Sequence, residues 1–510
     1  MRKGAGSGAF RTRNDDVGGR VNGAVTSGHP LGTEAGLAAL RSGGSSVDAA
    51  LAAAFTQWVV SSPVCGPGGD LFVLHVDGDD VVTYGGWSRT PAALDPSADL
   101  PSRGGSSAVV PGALAGAEAA WRAAGRLPWR SLFTHALVHA EGHEVTPWMA
   151  RSYETCVEKD QVAALSAVIG RSTAPSVGDE VSCPGLGRSL GRIAEEGASV
   201  LYSGALGAEV VAAAAVDGLP HRADDLAAVT AQVVPGERTV LDDCEVFVPG
   251  APSQAGIAAQ LLAAVAPSLD PGSAAFCETV APLTRDALVE RCTVGLPGTA
   301  VSMAADATST AVVVHSLAGV QYGSGWVAGT TGIALGNRVG TALSTRPDLP
   351  AANPVPGAVV PHTLSAALVR IGDVETAIAT PGGDRQVQWL AQAAQRVRRG
   401  APLDEVVGGP RWFVCPEGDR FGVPGGIGSE WFCFAEPGID WVDWRRVAGF
   451  ATRPVAWVGG GLQAIARGPD GLRPAGDPRG GGTAATTDGG LVGALAGATA
   501  SPTDRGEIDV

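Results

Sequence analysis

Residues 298–317 read GTAVSMAADATSTAVVVHSL. From Ala300 to Leu317 the residues alternate as two strands joined by a turn across Asp306 to Thr310. Upstream of this pair, Gly23 to Ser27 reads as a short buried strand, followed by a turn at Gly28-His29-Pro30. Thr33 fits an N-cap for a helix Glu34 to Arg41, which Gly43-Gly44 ends. Ser46 caps a second helix, Val47 to Val60, apolar almost all round and so buried. Gly66-Pro67-Gly68-Gly69-Asp70 breaks it. Leu71 to Val76 and Val81 to Tyr84 then flank Asp77-Gly78-Asp79-Asp80 as a β-hairpin. Gly112 to about Leu206 is mainly helical in pattern. Leu364 to Val369, equally readable as a short helix, and Glu375 to Thr380 read as strands, with a helix over Arg385 to Arg399. Strand pairs set between helical blocks predict a layered α+β protein rather than separate modules. No internal repeat is present. Gly476 to Gly490 and the tail Asp504 to Val510 read as loose segments.

Composition narrows the function. The chain has 510 residues, 45% of them hydrophobic, enough for a large core or two packed lobes. A net charge of -15 argues against nucleic-acid partners, which demand a basic footprint. No apolar run approaches the ~18 residues of a membrane span. Met1 to Asp16 carries charge without an apolar core, so it does not read as a secretory signal, and the expected location is cytoplasmic. Lysine occurs only as Lys3 and Lys159, a bias of GC-rich coding rather than a functional sign. The eight cysteines are scattered without CxxC or Cys/His ligand spacing, and the eight histidines lack HExxH. His139 and His143 stand four apart on an expected helix, a spacing a metal pair could use, and packed or surface histidines are the plainer reading. No metal or cofactor is expected.

Several blocks, in order, resemble the γ-glutamyltransferase family. They are Val25-Thr26-Ser27-Gly28-His29-Pro30-Leu31 with Thr33-Glu34-Ala35-Gly36, then Gly43-Gly44 and Val47-Asp48-Ala49-Ala50. Next come Gly66-Pro67-Gly68-Gly69-Asp70-Leu71-Phe72 and Val110-Pro111-Gly112 with Gly125-Arg126-Leu127-Pro128-Trp129. The segment Gly298 to Asp306 follows, then Tyr322-Gly323-Ser324-Gly325 with Gly332-Ile333-Ala334-Leu335. Gly382-Gly383-Asp384 and Gly409-Pro410-Arg411-Trp412 complete the set. The resemblance covers roughly residues 23 to 412 and is weak beyond about 415. It implies the four-layer αββα sandwich of N-terminal-nucleophile hydrolases, two stacked antiparallel sheets between helical layers. It also implies a precursor that cleaves itself before a threonine, giving a large subunit (1–298) and a small one (299–510) that stay together as one folded unit.

On this resemblance Thr299 is the nucleophile; Thr293, Thr308 and Thr310 fit the frame less well. A threonine hydroxyl needs a base. Its own freed α-amine, titrating near pH 8, is held beside it by covalent geometry. Gly298 leaves room for the backbone distortion of an N-to-O acyl shift. Ser316 stands where the family places a hydroxyl bonded to the nucleophile, and Gly382 and Gly383 where backbone N–H groups meet the oxyanion. Arg89, in Trp87-Ser88-Arg89-Thr90-Pro91, stands about where the family grips a substrate carboxylate, as a bidentate arginine can. Where the family binds an α-amine with an amide and a carboxylate, this chain has Arg338 and Thr341. A cationic amine beside Arg338 would require an acid to neutralise it. His362-Thr363 replaces the family's serine pair, and Asp384 completes the set of substrate-binding candidates. These departures point away from plain glutathione. The expectation is a Thr-dependent hydrolase or acyltransferase for a small carboxylate-bearing acyl substrate. The alternatives are a C–C bond hydrolase of alkylproline antibiotic pathways with the same nucleophile, and an unprocessed non-catalytic homologue.

Overall fold

The computed structural model describes residues 23–97, 101, 103–291, 298–319, 321–341, 355–416, 430–489 and 491–493. Cys292, Thr293 and the tail Asp504 to Val510 lie outside them.

Two antiparallel sheets stack face to face. The first runs Val492–Gly493, Thr483–Thr486, Ala24–Ser27, Thr299–Ala305, Ser309–Ser316, Asp70–Asp77, Asp80–Gly86, Gln232–Pro235. The second runs Gly471–Gly476, Gln463–Gly468, Val374–Ala379, Ala366–Ile371, Glu245–Val248, Glu237–Val240. Alternation along each strand divides the core. Val301, Met303, Val312, Val314, Phe72 and Leu74 point inward against Ala366, Leu368, Ala377 and Ile465 of the second sheet. Ala300, Ala304, Val313 and Leu71 face outward onto helices, among them Ser46–Val60 and Ala113–Ala124. Helices Gly256–Ala263 and Arg385–Arg398 cover the outer face of the second sheet. The αββα order expected from the resemblance is thus the observed one. A four-stranded sheet (Trp412–Pro416, Trp431–Ala435, Phe450–Pro454, Arg446–Val447) is added at the C-terminal side.

Three local expectations are corrected. The first helix runs Pro30–Arg41, capped by His29 rather than Thr33: the His29 Nδ1 accepts from the Leu31 N–H at 3.2 Å, and Pro30 gives up no needed donor. The second runs Ser46–Val60 with Ser45 as cap, in a capping box with Asp48. The segment expected to be loose contains the strand Thr483–Thr486, which pairs in register with Ala24–Ser27. The glycine before it is closely packed: a Cβ at Gly482 would lie 2.6 Å from the Asp477 carbonyl oxygen. By composition alone, Ser199–Val216 is apolar enough to cross a bilayer (mean hydropathy 1.6). It forms two helices, Ser199–Tyr202 and Ala205–Val216.

Candidate active site

Register places three polar side chains in one row across the first sheet. Ser316 lies opposite Thr299, and Asp70 opposite Ser316. Directly opposed residues share a face. The row therefore points the same way as Val301, Val314 and Phe72 and closes one end of the core between the sheets. All three residues are buried. Ser316 Oγ accepts from the Ala318 N–H at 2.7 Å and donates to the carbonyl oxygen of Gly298, the residue before Thr299. Gly298 has φ 110°, and a Cβ there would lie 2.6 Å from the Gly319 carbonyl oxygen, so only glycine fits.

The second sheet brings the other candidates to the same end, on the chain that enters Ala366–Ile371 and leaves Val374–Ala379. Gly382 has φ 147°, and a Cβ would strike the Trp389 ring at 2.3 Å. The Gly382 carbonyl accepts from the Arg385 N–H (3.1 Å) and that of Gly383 from the Gln386 N–H (3.2 Å). Among the described residues no backbone carbonyl accepts from the N–H of either glycine. Asp384 is the N-cap residue of Arg385–Arg398, without a side-chain capping bond.

Two glutamines that sequence reasoning missed tie these parts together. Gln254 Nε2 donates to the carbonyls of Thr363 (2.8 Å) and Gly383 (3.1 Å). Gln386 Nε2 donates to Thr299 Oγ1 at 3.4 Å, while its Oε1 accepts from the Ser365 N–H at 2.9 Å. A signal existed: Gln386, Gln388, Gln392 and Gln395 stud a wholly buried stretch of helix, where each amide must find a partner.

The acid that Arg338 requires is Asp70. Arg338 Nε donates to Asp70 Oδ2 at 2.5 Å and Nη1 lies 3.4 Å from Thr363 Oγ1. Asp70 Oδ1 accepts from the Ser88 N–H (2.6 Å) and lies 3.2 Å from His362 Nε2. Arg338 Nη2 is buried and, among the described residues, has no hydrogen-bond partner. Asp70 closes the glycine-rich turn Gly66-Pro67-Gly68-Gly69-Asp70, where nothing in the sequence marks it as the partner of Arg338. Arg89 follows Ser88, and its Nε donates to the Gly357 carbonyl at 3.0 Å. Among the described residues no hydrogen bond joins Arg89 to Thr299, Ser316 or Asp70. The site thus gathers Thr299, Ser316, Gly382, Gly383, Arg338, His362 and Thr363, with Arg89 beside them. Among the described residues, no cluster of three or more His, Cys, Asp or Glu could hold a metal.

The family profile described as Gamma-glutamyltranspeptidase matches residues 32–293 and 287–487, reaching past residue 415, beyond which the quoted motifs carry little resemblance. Glutathione hydrolase 3 of Arabidopsis thaliana is 33% identical over 202 residues, 37% of this chain and 31% of that protein. The chain thus aligns with about a third of that relative's length. The oxamate amidohydrolase proenzyme of Klebsiella pneumoniae is 28% identical over 456 residues, 77% of this chain and 85% of that one. A solved structure of cephalosporin acylase from Bacillus halodurans superposes with a TM-score of 0.79 over 95% of this chain and 99% of its own, at 22% identity. Both segments of the profile run through the strands that carry the polar row and the glycine turn, and on that match the chain belongs to the gamma-glutamyltranspeptidase family.

Proposed function

We propose that the chain cleaves itself between Gly298 and Thr299 and then acts through the freed Thr299 as a hydrolase or acyltransferase. Its substrate is an amide of a small acyl group that bears a carboxylate and no α-ammonium. The observation that carries this reading is the relay from the Ala318 N–H to Ser316 Oγ to the Gly298 carbonyl oxygen. A donated O–H polarises that carbonyl and stabilises the charge that grows on it under attack. Thr299 Oγ then bonds the Gly298 carbon, the C–N bond breaks, and the hydroxyl proton ends on the departing nitrogen. Water hydrolyses the resulting ester, leaving a Gly298 carboxylate and Thr299 with a free amine. That amine serves as base for the next attack. The N–H groups of Gly382 and Gly383 receive the substrate oxyanion.

The substrate class follows from charge. Asp70 neutralises Arg338, so the subsite offers an ammonium no net attraction. Arg338 Nη2 remains as a buried donor. A donor of this kind suits a carboxylate or carbonyl oxygen. Arg89, His362, Thr363 and Asp384 line the same end as further substrate contacts. The names of the glutathione hydrolase and oxamate amidohydrolase relatives support amide cleavage. The test is intact mass under denaturing conditions, wild type beside Thr299→Ala. Two wild-type fragments breaking before Thr299, against one uncut variant chain, support the reading and open a screen that includes oxamate and γ-glutamyl amides. A single full-length wild-type chain sinks it.

A further inference from the structure

We infer that Gln386 is a catalytic residue that donates a hydrogen bond to the attacking oxygen of Thr299, a role that rests on the nucleophile reading above. The direction of its amide is fixed by chemistry. The Ser365 N–H can only donate, so the Gln386 oxygen must face it, as it does at 2.9 Å. That leaves the Gln386 NH₂ group turned to Thr299 Oγ1, 3.4 Å away. The side chain has no freedom to turn elsewhere. It is fully buried, in the first turn of Arg385–Arg398, with its own N–H on the Gly383 carbonyl at 3.2 Å.

A donor aimed at Oγ does two things. It holds the hydroxyl in one rotamer, and it leaves the hydroxyl proton to point away from Gln386. As that proton departs and the Oγ–C bond to the Gly298 carbonyl forms, negative charge on Oγ is stabilised by the amide N–H. Gln386 transfers no proton itself. Ser316 polarises the carbonyl through its oxygen and Gln386 steadies the oxygen that attacks the carbon, so electrophile and nucleophile each receive one donated hydrogen. The Ser365 N–H also links the nucleophile to the His362-Thr363 segment beside Arg338.

Self-cleavage reads this role without a known substrate. The rate of appearance of fragments is followed by intact mass for wild type, Gln386→Leu and Gln386→Glu, with folding checked by circular dichroism. Gln386→Leu is expected to slow cleavage about tenfold, the worth of one neutral hydrogen bond. Gln386→Glu keeps an acceptor for Ser365 but turns a second acceptor on Oγ when ionised. Its rate relative to wild type should be low at pH 8 and recover toward pH 5, where the buried carboxyl gains a proton and can donate. A structural role would leave that ratio flat. Cleavage of both variants at the wild-type rate, or a slow Gln386→Glu with a flat ratio, overturns the inference. An uncut wild type is a different result: it overturns the nucleophile reading, and the role of Gln386 with it.

Discussion

The role proposed for Ser316 rests on two hydrogen bonds of an otherwise ordinary strand residue. It ends Ser309–Ser316 opposite Thr299, and its hydroxyl has two bonds, one accepted from Ala318 and one donated to Gly298. Because the accepted N–H fixes one side of the oxygen, the hydroxyl hydrogen is directed at the carbonyl. Ser316→Ala removes the donation and leaves the strand pairing intact. It should slow self-cleavage about 10²–10³-fold, the usual cost of one oxyanion donor. A time course of intact mass checks this, and an unchanged rate would remove Ser316 from the mechanism. Ser316→Thr keeps the hydroxyl and should retain most of the rate.

The element that sets this geometry is the strand pair Thr299–Ala305 and Ser309–Ser316, and Asp306 in its turn anchors it. Asp306 accepts from the N–H groups of Thr308 (2.9 Å) and Ser309 (2.8 Å), and across the sheet from that of Ser46 (3.0 Å), at the start of a buried helix. Burial alone would raise its pKa, but these N–H bonds, with Arg126 nearby, hold the carboxyl below its usual range. Asp306→Ala leaves three N–H groups without their acceptor. It should cost about 3 kcal/mol, since a buried donor left unpaired costs about 1–3. Urea unfolding measures this, and a loss under about 1 kcal/mol would mean water replaces the carboxylate. The pair itself was legible in sequence, because period-two alternation around Asp306 survives in the fold. So were the hairpin Asp70–Asp77/Asp80–Gly86 and the helix Arg385–Arg398, within a residue or two. The partners of Arg338 and Thr299 were not. Asp70 and Gln386 reach them only through sheet register and layer stacking, contacts spanning 268 and 87 residues of chain. The strand Thr483–Thr486 escaped for a related reason, since its glycine-rich setting hides a partner far away at Ala24–Ser27.

At the scale of the molecule, the first sheet interleaves strands from before and after Thr299 and the second joins two strands from before it to four from after it, so a cut there would leave each sheet's pairing intact. The interleaved core also buries bases. His29 and His315 are fully buried, and both are pushed down to about 3, in each case chiefly by burial, with repulsion from His143 and His139 adding to the effect at His29. His315 Nδ1 accepts from the Trp58 Nε1–H at 3.1 Å, a bond that protonation would abolish. In the unfolded chain each imidazole titrates near 6.5. Between about 6.5 and 3 the unfolded state therefore binds protons that the folded state refuses. Stability then rises with pH, so it is lost on acidification through 6.5. Below 6.5 each histidine contributes a slope of about 1.4 kcal/mol per pH unit, or about 2 kcal/mol each between pH 7 and pH 5. That loss depends on the unfolded value and not on how far below 5 the folded one lies. It falls above the range where Asp306, held below the usual carboxylate range, titrates. Urea midpoints at pH 7 and pH 5, for wild type and His315→Gln, isolate the effect. The variant starts less stable but should lose about 2 kcal/mol less over that interval. Equal losses in the two proteins would show that His315 is not held neutral by the core.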